Sequence, residues 1–185
     1  MKTLFTRDEI LHNVGCYSKE NAVKILKDKT EFTINEILSL DIPLKDKVWF
    51  ICKRCELTDT EFRKFAIGCA WVVLPIFEDE YPENIAPREA IQAAEQYLSG
   101  TINIDILKQK LTAAADATTY AADVTADAAA YAADAATYAA DATTYAADVT
   151  AYTAYTGAYA AAAAAAAADT KYQDLLLNFF KLFTE

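Results

Sequence analysis

Residues 113–168 read AAADATTYAADVTADAAAYAADAATYAADATTYAADVTAYTAYTGAYAAAAAAAAA, and 31 of these 56 positions are alanine. Alanine has the highest helix propensity and loses no side-chain freedom in a helix, so the stretch is expected to be helical despite its low complexity. DATTYAADVTA stands at 116–126 and again, unchanged, at 141–151; the intervening DAAAYAADAATYAA keeps the same style, which marks an internal duplication. At about 100° per residue these spacings return to nearly the same side of a helix. Tyr120, Tyr131, Tyr138, Tyr145, Tyr152 and Tyr159 then fall within an arc of roughly 80°, with Val124 and Val149 beside them. Asp116, Asp123, Asp127, Asp134, Asp141 and Asp148 form a parallel stripe roughly 40° to one side.

One unbroken helix of this length would extend about 84 Å, whereas a compact chain of this size is about 40 Å across. The segment must protrude or fold back. The reading favours a helical hairpin or bundle, with breaks near Thr118-Thr119, Thr143-Thr144 or Gly157. Facing alanines let backbones approach closely while Tyr and Val fill the groove, which explains the pattern as packing. The same stripe also suits a partner-binding surface, because Tyr offers large contact area with few torsions and Asp can meet a partner's Arg or Lys.

Outward from this segment the chain is ordinary. No basic residue stands between Lys110 and Lys171, so the aspartates there account for most of the net charge of −10. That balance argues against a phosphate-binding surface, which needs clustered Lys and Arg; direct nucleic-acid binding is not expected. Residues 7–14 and 20–29 read as short helices, Thr33 caps INEILSL, and Val48, Trp49, Ile51 and Cys52 share a face at helical spacing within 45–56. Thr58 with Glu61 is a capping-box signature for a helix through about Phe77, which Pro75 should kink or end near Leu74. FEDEYPENIAP reads as an acidic loop; Pro87 then opens the helix PREAIQAAEQYL, which Ser99-Gly100 ends. No segment shows sustained strand alternation. The expectation is an all-α fold: a helical domain at 1–112, alanine-rich Tyr/Asp repeat helices at 113–170 forming a bundle or hairpin, and an amphipathic helix at 171–185 whose Leu175, Leu176, Phe179, Phe180 and Phe183 cover that bundle.

The stretch FRKFAIGCAWVVLPIFEDEYPENIAPREAIQAAEQYLSGTI, residues 62–102, resembles the immunity-protein-five-like family of bacterial toxin systems. The resemblance rests on Val73, Leu74, Pro75, Ile76, Phe77 and Glu78, then Pro87, Arg88, Ala90, Ile91, Ala94 and Gly100. The alanine-rich continuation is usual for that family, and Gly15-Cys16 with the Val48-Trp49 helix looks like the leader of some members. The resemblance implies a non-enzymatic protein that neutralises a toxin by stoichiometric binding, and it brings no catalytic residues. The alternative is a phage-borne, anti-CRISPR-like inhibitor that binds a nucleic-acid-targeting defence enzyme.

Other motifs have bland readings. Cys52 and Cys55 have CxxC spacing, and His12 with Cys16 could complete a zinc site. Helical patterning around these cysteines favours buried free thiols, so neither metal nor cofactor is expected. Glu78, Asp79 and Glu80 could pair with partner cations, though such a run is usually solvated, and Arg88 is expected to pair with it. The opening MKTLFTRDEI has charge and no apolar run, so a cytoplasmic protein is expected, without a membrane span. The partner would be a protein, a toxin or a defence nuclease; homo-oligomer formation stays open.

Overall fold

The computed structural model describes residues 1–12, 19–123, 135, 138, 160–165, 167 and 170–184, with only the backbone of 118–123. In chain order the elements are β1 (Leu4–Thr6), α1 (Arg7–His12), α2 (Lys19–Leu26), β2 (Glu31–Thr33), α3 (Ile34–Leu38), α4 (Leu44–Arg54), α5 (Asp59–Glu80), α6 (Ala86–Leu98), α7 (Ile104–Asp123) and α8 (Thr170–Phe183). The fold is all-α. Its strands are a local device of three residues each, paired antiparallel with Leu4 opposite Thr33, Phe5 opposite Phe32 and Thr6 opposite Glu31. Each contributes one inward side chain, Phe5 or Phe32, so there is no run of alternation for a sequence pattern to show.

These strands belong to a duplicated unit. Lys2-Thr3-Leu4-Phe5-Thr6-Arg7-Asp8-Glu9 and Lys29-Thr30-Glu31-Phe32-Thr33-Ile34-Asn35-Glu36 share the pattern K-T-x-F-T-x-x-E. In both, Phe enters the core, and Thr and Glu cap the following helix by exchanging hydrogen bonds: the Thr6 amide donates to Glu9 Oε2 at 2.8 Å, and the Thr33 amide to Glu36 Oε2 at 2.9 Å. In both, Lys pairs with Glu and lies over the Phe ring, Lys2 with Glu9 and Phe5, Lys29 with Glu36 and Phe32. The units also bond reciprocally: the Arg7 amide donates to the Thr30 carbonyl and the Ile34 amide to the Thr3 carbonyl, each at 2.8 Å. Two equivalent segments thus face each other about a local two-fold axis. Phe5 meets Phe50 of α4 edge-on, with centroids 4.8 Å apart.

Helix α5 is the spine. The Thr58–Glu61 capping box starts it, and Phe62, Phe65, Ala66, Ile67, Cys69, Ala70, Val73, Leu74, Ile76 and Phe77 are buried along it. Those positions exceed one amphipathic stripe, as expected of a helix covered on more than one side. Pro75 does not end α5 near Leu74, one of the two outcomes expected from sequence: the helix continues to Glu80. Pro75 is exposed, so water can reach the carbonyl that its missing amide leaves unpaired, and its neighbours on either side, Leu74 and Ile76, are buried. Glu78, Asp79 and Glu80 are therefore the helix's last turn and not a loop. The stop comes at Tyr81, which precedes Pro82 and has left the helical region.

Helices α6 and α7 form a hairpin. Pro87 sits in the first turn of α6, and Gly100 follows its end at φ +74°, a left-handed conformation suited to glycine. The Thr101 amide reaches the Gln96 carbonyl at 2.8 Å and the Gly100 amide the Tyr97 carbonyl at 3.0 Å, a Schellman closure. Asn103 Oδ1 then caps α7 by accepting from the amides of Asp105 and Ile106. Small buried residues, Ala90, Ala93 and Ala94 on α6 and Ala114 and Ala117 on α7, line the hairpin interior. Helix α7 runs through Thr118-Thr119 without a break; Thr143-Thr144 and Gly157 lie outside the described residues. Ala160, Ala161, Ala162, Ala164 and Ala165 are helical and buried in the same core as Leu176.

Helix α8 is amphipathic, and among the described residues its aromatics gather on α5; most of the alanine segment that the sequence reading had them cover lies outside the described residues. Phe179, Phe180 and Phe183 surround Phe65 at centroid distances of 5.9, 5.4 and 5.0 Å. Gly68 makes the notch: a Cβ there would stand 2.1 Å from Phe179 Cζ. Leu176 and Phe180 are fully buried, whereas Leu175 is exposed.

Gly68→Ala should therefore destabilise the protein by about 1–3 kcal/mol in urea unfolding, the cost of overpacking, although Ala is the better helix former. Phe179→Ala should suppress that penalty, giving a strongly non-additive double mutant. A second expectation concerns pH. The Lys2 ammonium and the Thr6 amide hold the Glu9 carboxyl down at about 2, below its ordinary 4.5. A depressed carboxyl stabilises the fold above its unfolded pKa, and that contribution fades as pH falls from 4.5 towards 2. Carboxyl NMR titration should place Glu9 at the low end of that window, and Lys2→Met should move it back up.

Candidate protein-binding surface

The carboxyl end of α5 and the amino end of α6 meet around one polar network. Arg88 Nε donates to Glu78 Oε1 and Arg88 Nη2 to Glu78 Oε2, both at 2.6 Å, a two-pronged pair of the kind Arg geometry favours. The paired carboxylate raises the Arg88 pKa further. The guanidinium lies 5.4 Å from the Trp71 ring centroid, and Trp71 Nε1 donates to Glu95 Oε1 at 2.8 Å. One chain of contacts thus runs Glu78, Arg88, Trp71, Glu95 across two helices. Beneath it, Ala90, Ile91 and Ala94 are fully buried, and Lys110 of α7 pairs with Glu89 at 2.9 Å.

Of the acidic run, Glu78 is committed to Arg88, while Asp79 and Glu80 are exposed. No basic residue stands in this last turn. These two exposed carboxylates therefore add to the negative end of the helix dipole, an arrangement that costs folding energy and concentrates negative potential.

The repeat stripe is described only in part. Asp116 is exposed on α7, Tyr138 is helical and half-buried, and Tyr120 and Asp123 have helical backbone within α7. Tyr131, Tyr145, Tyr152, Tyr159, Asp127, Asp134, Asp141 and Asp148 lie outside the described residues. Residues 79 and 80 and residue 116 sit on different elements, so the acidic positions form no single linear feature.

Cys52, Cys55 and Cys69 are buried free thiols. Burial pushes all three upward from the ordinary thiol range, Cys55 to about 12, so none is a ready nucleophile. Cys16 is outside the described residues and His12 is exposed at the end of α1. Among the described residues no cluster of His, Cys, Asp and Glu is arranged to hold a metal, and no helix is long and apolar enough to cross a membrane.

Residues 56–178 match the family described as Imm-5 like putative immunity protein. The chain belongs to this family. No curated protein and no solved structure matches it. The immunity-family match takes in α5, α6 and α7, and with them the whole Glu78–Arg88–Trp71–Glu95 network; the duplicated strand–helix units precede it. Sequence reasoning found the pairing of Arg88 with Glu78. It missed Trp71, whose only signal was an indole N–H among apolar neighbours, Ala70, Val72 and Val73.

A double-mutant cycle on Glu78→Ala and Arg88→Ala should show a coupling of about 0.5–1 kcal/mol at low salt, a value set by partial exposure of both groups and shrinking as salt is added. Arg88→Lys should lose most of it, because an ammonium cannot span both oxygens.

Proposed function

We propose that this Imm-5 like protein is a non-catalytic immunity factor that protects its producer, in the cytoplasm, by binding a toxin protein one to one. The family match over residues 56–178 carries this reading. The surface is suited to it chemically. An acidic chain of net charge −10 that presents Asp79, Glu80 and Asp116 to solvent favours encounter with a cationic protein. The Tyr/Asp stripe at Tyr120, Tyr131, Tyr138, Tyr145, Tyr152 and Tyr159 would supply the contact area, and the Arg88–Trp71 network would hold the α5–α6 corner rigid beneath the acidic turn.

The test uses the toxin encoded beside this chain's gene. Co-expression should restore growth, and the purified pair should sediment as a complex of fixed stoichiometry. Asp79→Lys with Glu80→Lys should slow association by roughly tenfold and flatten its salt dependence, leaving circular dichroism unchanged. Loss of protection by the intact chain, or protection that proceeds through turnover of the toxin or of a small molecule, would overturn the proposal.

A further inference from the structure

The connection between the two K-T-x-F-T-x-x-E units is short and strained. Helix α2 ends at Leu26 and β2 begins at Glu31, so four residues carry the chain from one unit to the other. Lys29 is already paired with Glu36, and the Thr30 carbonyl already accepts from the Arg7 amide, so the change of direction falls on Lys27 and Asp28. Lys27 makes it at φ +52°, in the left-handed region where a side chain is disfavoured and glycine is at ease. Its amide closes the last turn of α2 on the Val23 carbonyl at 2.9 Å, but its side chain is exposed, so burial does not offset the strained backbone. A short connection under strain favours exchange of the unit it carries with another copy.

The contacts that seat the first unit reach across this connection, so a second copy can make them equally well. The Arg7 and Ile34 amides bond reciprocally to Thr30 and Thr3, the Lys2 amide donates to the Cys55 carbonyl at 2.6 Å, Arg54 Nη2 donates to the Glu9 carbonyl at 2.9 Å, and Phe5 lies against Phe50. Straightening Lys27 in a lone chain would uncover Phe5, Ala22 and Leu26 on the departing side and Phe32 and Phe50 on the other, all of them buried in the closed chain. Two straightened chains cover these surfaces for each other. We infer that two copies of this chain exchange residues 1–26, giving a two-fold dimer in which β1 of each copy pairs with β2 of the other and Lys27 is extended in both. The exchanged unit and its seat on β2 and α4 precede the family match at 56–178, so the matched region of each copy stays whole and one chain per toxin is retained.

The test takes the full chain, unfolds it in urea, refolds it at micromolar and at near-millimolar concentration, and sizes the products by gel filtration with light scattering. A dimer should form at the higher concentration and persist on dilution, because its halves part only by local unfolding. Lys27→Gly relieves both connections of the dimer's closed alternative and should weaken dimer formation by about tenfold or more, with circular dichroism unchanged. A second variant reports the topology: Leu4→Cys with Thr33→Cys puts thiols at opposed, exposed positions of the strand register. On oxidation with glutathione disulfide the monomer should link within its chain, and the exchanged dimer should run as a covalent dimer on a non-reducing gel, which neither single variant should do. A chain that stays monomeric at both concentrations, a dimer whose links stay within each chain, or a Lys27→Gly dimer as strong as the parent's would each overturn the exchange.

Discussion

The burial of α5 on several sides is the constraint from which the rest of the structure follows. A helix with Phe62, Phe65, Cys69, Val73, Ile76 and Phe77 all removed from water cannot lie at a surface, so its neighbours must wrap it. Helix α6 packs on one side of it, and α8 takes another with phenylalanines that fill space around Phe65. On that second flank a glycine notch admits a ring.

What the sequence shows of this arrangement depends on range. Features closed within a few residues were legible: the Thr58–Glu61 box, Pro87 at a helix start, Gly100 at a helix end, and the all-α class implied by the alanine repeat. Proline was read too strongly at Pro75, because its penalty depends on whether water reaches the orphaned carbonyl, which is a property of the packed fold. The same misreading turned the last turn of α5 into a loop. The seating of Phe179 on Gly68 links positions far apart in the chain, and nothing local signals it. Of the candidate surface, the Arg88–Glu78 pair was legible from opposite charges flanking a short connection, while Trp71 was hidden among apolar neighbours. The strands were missed for another reason: each is too short to have a period, and only comparison of residues 2–9 with 29–36 reveals them.

Under the proposed function, the acidic turn and the network behind it would divide the work between structure and recognition. Glu78 is paired with Arg88, so it contributes order; the exposed Asp79 and Glu80, one and two residues later, would contribute field. Placing them on a rigid corner, where α5 hands over to α6, fixes their direction relative to the immunity-family core. A flexible acidic tail would carry the same charge and lose more freedom on binding.

The paired K-T-x-F-T-x-x-E units have a further consequence. Each half donates to the other the hydrogen bonds it receives, so the contact is isologous in the sense used for symmetric dimers, though both halves lie on one covalent chain. Either half alone presents a self-complementary edge with nothing in its own molecule to close it. Cleavage between them would open the route to domain swapping, in which one chain's first unit is exchanged for a neighbour's.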